Sequence, residues 1–197
     1  ANLNQYLAGD CTMAAASQHI PLEDAPGALF LLPASDHPRD LMRAERTPYH
    51  DAFLNTAVQE FAELNDLDLL LIDIHAGLSA DMLTAMSLSD LYLLNLRLDE
   101  QDYQGSSIIV ALAERLGTRL GLLVNLMSAR YQSPQVKTAV EEAYQRQVWS
   151  AVPYSEDIAA LSSRDVLTRH AYNHPLVQLY QELAQDIMDG RQKEKGG

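Results

Sequence analysis

Apolar side chains gather in five short runs, at residues 28–32, 67–72, 91–96, 120–125 and 148–152. Each is shorter than a buried helix and apolar without alternation, the pattern of a strand covered on both faces. Helical patterns separate them at 51–64, 81–86, 101–116 and 135–146. Strands joined through helices predict an α/β fold, a doubly wound, mostly parallel sheet flanked by helices with right-handed crossovers. The Pro-, Gly- and charge-rich stretches 21–27 and 35–48 read as surface loops. Near the end, Pro175 suits a first helical position, and Leu176, Tyr180, Leu183 and Ile187 form one apolar stripe on a closing helix. Gly190 is its expected stop, so a single domain is expected over 1–190, followed by a polar tail at 191–197.

Composition narrows the partners rather than the fold. The 197 residues suffice for one substantial core. A net charge of -13 disfavours any broad electrostatic hold on nucleic acid or an anionic membrane, since both need clustered basic groups. One cysteine, Cys11, excludes an internal disulfide and any thiolate metal cluster, and suits a reducing cytoplasm. No run of about 18 apolar residues is present. There is no Gly-x-Ser-x-Gly elbow and no His-Glu-x-x-His, and the six histidines stand singly, so hydrolase triads and histidine metal sites lack support. Glu141 and Glu142 are adjacent on a helix and point in different directions.

The run DLLLID at 68–73 delivers Asp73 to the end of an expected central strand, just before the Gly77 turn. A carboxylate there can hold a magnesium-bound water, or can simply cap the turn. Gly77 reads as the pivot of a switch loop or as an ordinary turn glycine. Asn125 closes the 120–125 run; its amide can read adenine, or form a turn. His75 reads as a surface or partly buried residue and is not assigned as a base; no catalytic residue is assigned. The segment Arg97, Asp99, Gln101, Asp102 and Gly105 reads as a helix cap with an acid-rich first turn, or as a polar face for a partner.

Taken in order, Asp73-x-x-Ala76-Gly77, Val124-Asn125 and the stretch Pro153, Tyr154 to Asp157 resemble the second switch, the adenine-reading asparagine and the base-wrapping Pro-x-Asp segment of the MinD/ParA family of deviant P-loop ATPases. Residues 4–10 and 28–35 are similar to the MinD segment that leads into its third strand. His75 departs from the pattern, where proline is usual, and no Gly-Lys dipeptide exists in the chain. Lys137 lies in an expected helix, and Lys193 and Lys195 lie in the tail. The chain thus resembles a P-loop-type domain lacking its N-terminal nucleotide-binding third.

The resemblance implies ATP and Mg²⁺ as cofactors, with Asn125, Pro153, Tyr154, Asp157 and Gly77 at the nucleotide and Asp73 reaching the metal through water. It implies a cytoplasmic homodimer or protein partner, working in cell division or partitioning, in an intact form that hydrolyses ATP. This chain by itself is expected neither to bind ATP tightly nor to hydrolyse it, and a non-catalytic interaction module on the same fold is the alternative. A cofactor-maturation ATPase of the superfamily would need a cysteine pair. The tail at 190–197 has no apolar side chain to insert, so no membrane anchor is expected there.

Overall fold

The computed structural model describes residues 1–22, 26–38, 51–75 and 77–189. Ala76, Gly190, the tail and most of the two expected loops lie outside the described residues. Two compact units divide the chain, Ala1–Asp73 and Ile74–Gly197.

The first unit begins with two short helices, α1 (Leu3–Leu7) and α2 (Met13–Ala16), which the sequence pattern did not reveal. Each is started by a side-chain cap: Asn2 accepts from the Gln5 amide at 3.0 Å and Thr12 from the Ala15 amide at 3.3 Å. Strands β1 (Gln18–Ile20) and β2 (Leu29–Leu31) pair antiparallel, His19 facing Phe30. The 28–32 run is therefore a hairpin arm rather than a parallel strand, and Leu29 and Leu31 remain about half exposed. Helix α3 (Asp51–Asn65) supplies Ala57 and Phe61 to a core with Met13, against which Leu3, Tyr6, Leu7, Phe30, Leu32, Leu67 and Leu70 pack.

The expected strand at 67–72 is not formed. A strand exists through its neighbours' backbone, and no described segment supplies a ladder to these residues. Leu67 and Leu70 reach the core, but Leu71 is 73% exposed and Leu69 and Ile72 are also exposed.

The second unit holds the parallel sheet. Its elements are α4 (Ala80–Leu88), β3 (Tyr92–Leu96), α5 (Glu100–Leu116), β4 (Leu120–Met127), α6 (Ser133–Tyr144), β5 (Val148–Pro153), α7 (Glu156–Leu161), α8 (Leu167–His170) and α9 (Pro175–Met188). The strand order is β3-β4-β5, parallel throughout, with α5 and α6 as the crossovers. This is the α/β arrangement that the alternation of runs predicts, a parallel sheet flanked by helices.

The central strand β4 buries Leu122 and Val124 fully on one face, while Gly121 is buried and Leu123 half-buried on the other. Leu94, Leu96, Val136, Val140, Tyr144, Val148 and Ala151 complete that core, and Met82, Met86 and Ala113 form a second cluster beside Tyr92 and Leu120. Gly121 is a packing requirement: a Cβ there would stand 2.7 Å from Trp149 Nε1 and 3.0 Å from Leu93 Cδ2. Partial burial of Tyr92 holds its phenol above the usual tyrosine range.

Candidate functional site

The carboxyl ends of β4 and β5 bring three of the expected residues together. In parallel α/β sheets such ends, where loops leave the strands, are where ligands bind. β4 pairs with β5 as far as Val124 opposite Ala151, with one earlier register shift between Leu122, opposite Val148, and Leu123, opposite Ser150. The register then shifts before Met127 meets Pro153, which leaves Asn125 and Leu126 as a bulge. Leu126 adopts φ +52, a conformation uncommon for a side chain branched like leucine, and is 52% exposed. Beyond the bulge, the Tyr154 amide donates to the Met127 carbonyl at 2.9 Å. The Asn125 bulge and the Pro153–Tyr154 turn are thus neighbours tied by backbone.

Within the bulge, Asn125 Oδ1 accepts from the Leu126 amide at 2.8 Å. The oxygen keeps a second lone pair and the amide nitrogen two donors, the complement of an adenine edge. Tyr154 is 54% exposed next to it in the fold, and Tyr131, in the loop after β4, is 55% exposed. Aromatic faces of this kind can stack on a base.

Helix α7 follows at once. Ser155 caps it, accepting from the Ile158 amide at 3.4 Å, and Asp157 lies in its first turn, where a carboxylate favours the helix dipole. The Asp157 carboxylate meets His174 Nε2 at 3.1 Å, while His174 Nδ1 accepts from the Leu176 amide at 3.1 Å. His174 is the N-cap of α9. Pro175 at the first helical position implies a cap one residue earlier, and His174 fills it. Leu126 gave no warning at all, because leucine carries no preference for the left-handed region.

After α7, Asp165 is held below the usual carboxylate range by the Val166 amide, then by His170 and Arg169. These groups order the start of α8 at the surface.

The remaining expected residues belong to other segments of the chain. Gly77 has φ +110, which an L side chain rarely adopts, so glycine is required by the backbone there. It lies two residues before Ser79, the N-cap of α4, which accepts from the Met82 amide at 3.1 Å. Asp73 is exposed and closes the first unit at the end of the run that forms no strand, so its expected placement at a strand terminus is corrected. His75 is exposed. Arg97 pairs with Asp99 at 3.2 Å, both well exposed, a contact of small energetic weight.

Residues and cofactor fit unequally. The amide of Asn125 and the open loop beside it suit a purine edge. Among the described residues no group of three or more His, Cys, Asp or Glu side chains gathers around a point, and a single exposed Asp73 suits magnesium only as one contact beside phosphate and water oxygens. The sequence holds no Gly-Lys pair for a phosphate loop. No helix among the described residues is long and apolar enough to cross a membrane.

No protein-family model matches this chain, and no curated protein matches its sequence. Solved structures do match its shape. The septum site-determining protein MinD of Pyrococcus horikoshii, complexed with Mg-ADP, has a TM-score of 0.76 at 17% identity, over 95% of this chain and 73% of that one. The MinC:MinD cell division protein complex of Aquifex aeolicus gives 0.72 at 18% identity, over 100% and 76%. A ParA family ATPase from Chlorobium tepidum gives 0.67 at 16% identity, over 96% and 74%. At such identities the likeness establishes the fold, a MinD/ParA-type α/β architecture.

Proposed function

We propose that this chain is the base-recognising part of an ATP-dependent switch of the MinD/ParA kind, whose intact form dimerises around Mg-ATP in the cytoplasm and positions or partitions a cellular cargo. The observation that carries the reading is the β4–β5 rim, where the bulged Asn125 amide lies beside the Tyr154 turn. Asn125 reads the Watson–Crick or Hoogsteen edge of adenine, and Pro153 and Tyr154 enclose the ring. Gly77 gives the loop before α4 the freedom to reorient when a γ-phosphate is present or lost. Asp73 contributes a hard oxygen to a water on the magnesium. The metal, when bound with the nucleotide, supplies charge neutralisation for phosphoryl transfer.

The chain by itself is a binding element rather than a catalyst. It has no lysine loop to cradle a triphosphate, and phosphoryl transfer depends on that positioning. This same feature favours the second reading, a non-catalytic interaction module that uses the fold to hold a protein partner.

Titration of adenosine followed by amide NMR tests the rim. Millimolar adenosine shifts the Asn125 side-chain amide and the Tyr154 backbone amide, guanosine shifts them less, and Asn125→Ala abolishes the response. Absence of any shift at these groups removes the nucleotide reading and leaves the interaction module. Isothermal titration with Mg-ATP separates the two levels: micromolar affinity or turnover by this chain would overturn the assignment as a binding element only.

A further inference from the structure

The imidazole of His174 joins two helices through opposite nitrogens. A backbone N–H can only donate, so Nδ1, receiving the Leu176 amide at 3.1 Å, is unprotonated. The neutral ring then carries its proton on Nε2, which faces the Asp157 carboxylate at 3.1 Å. One end of this link is firm: α9 packs against β5 through its first turn, Leu176 and Val177 being buried. The other end is Asp157, whose side chain is 71% exposed and which starts α7 directly after the Pro153–Tyr154 turn. Helix α7 buries none of its six residues, so packing gives it little hold on the sheet.

From this geometry we infer that His174, in its Nε2–H tautomer, is a positioning residue: it fixes Asp157, and through it the 153–157 turn, against the β4–β5 rim. The inference rests on the proposed base site for its purpose, but the link itself is testable without a ligand. It also reassigns Asp157. Its carboxylate serves the scaffold, and a base at this rim meets the turn's backbone and Tyr154 rather than the acid.

His174→Asn separates the two halves of the link. Asparagine is among the best N-caps, so the start of α9 is kept, while its shorter amide does not span to Asp157. Asp157→Ala removes the same link from the other end and leaves the cap untouched.

Amide hydrogen exchange on the full chain reads the outcome. Residues 154–158 exchange about three- to tenfold faster in both variants, as expected for one lost hydrogen bond, while residues 177–183 of α9 are unchanged. Long-range ¹H–¹⁵N spectra of the imidazole show the proton on Nε2 in the wild type, and Asp157→Ala shifts that signal; a purely local capping role would leave it in place. Adenosine, titrated in parallel, binds several-fold more weakly to His174→Asn. Exchange at 154–158 equal to wild type in both variants, or a proton on Nδ1, overturns the inference. If the wild type ignores adenosine while exchange still rises in the variants, the base site falls and the positioning role stands.

Discussion

Residues 67–72 and strand β4 are near-equivalents as sequence, LDLLLI against LGLLVN at its start, yet they end in opposite environments. In β4 both neighbours donate and accept along the ladder, and Leu122 and Val124 are sealed from solvent. In 67–72 no described strand pairs with the run, and Leu71 is 73% exposed. Apolar content is thus a demand for cover, and whether it becomes a strand depends on a partner that the run itself does not encode. The site follows the same division. Asn125 is aimed by a bulge that only a paired strand can have, whereas Asp73, at the end of the unpaired run, is placed by no strand.

The largest expected effect separates the two runs directly. Leu122→Ala opens a cavity in a fully buried position and should cost about 2–5 kcal/mol, read as a lower midpoint in urea unfolding of the second unit. A cost below about 1 kcal/mol would mean that β4 is not the covered strand described. Gly121→Ala comes next. Its Cβ would collide with the Trp149 indole and Leu93, both half-buried, and the expected loss is about 1–3 kcal/mol. Retained stability there would show that Trp149 moves freely, and the central sheet would be looser than its burial implies.

Much of the second unit was legible because its signals are local. Each strand of the parallel sheet is a short apolar run, and the crossover helices announce themselves by period; Pro175 marks the last helix. The first unit was legible only in part. Helices α1 and α2 are five and four residues long, set by caps at Asn2 and Thr12 rather than by any period a window can detect. The hairpin of β1 and β2 depends on which segments meet, and three-residue strands carry almost no pattern. At the site, the order of Asn125 and the Pro153–Tyr154 turn was readable from the strand ends. The left-handed Leu126 and the His174–Asp157 contact were not, since both arise from tertiary geometry.

Alkaline titration probes the covered side of the comparison more gently. Tyr92, at the start of β3, is raised by burial, so the folded chain keeps its proton where the unfolded chain has lost it. Its contribution is complete below the unfolded value of 10.0 and disappears as pH rises through the higher folded value. Stability should therefore fall above pH 10 with a component that Tyr92→Phe removes, measured by urea midpoints across that range. An identical alkaline slope in the variant would place the ring in solvent.

The smallest expected effect belongs to the uncovered run. A leucine that is 73% exposed has little burial to lose, so Leu71→Lys should change unfolding free energy by no more than about 0.5 kcal/mol. The same substitution puts a charge on a surface where Leu69 and Ile72 are also exposed, and exposed apolar edges invite association between chains. Light scattering should consequently show less concentration-dependent self-association in the variant than in the wild type. A loss above about 1 kcal/mol, with association unchanged, would mean that Leu71 is covered within the folded chain and that 67–72 is paired after all. The difference between the two runs would then be one of degree, and Asp73 would regain the strand terminus that its sequence context led us to expect.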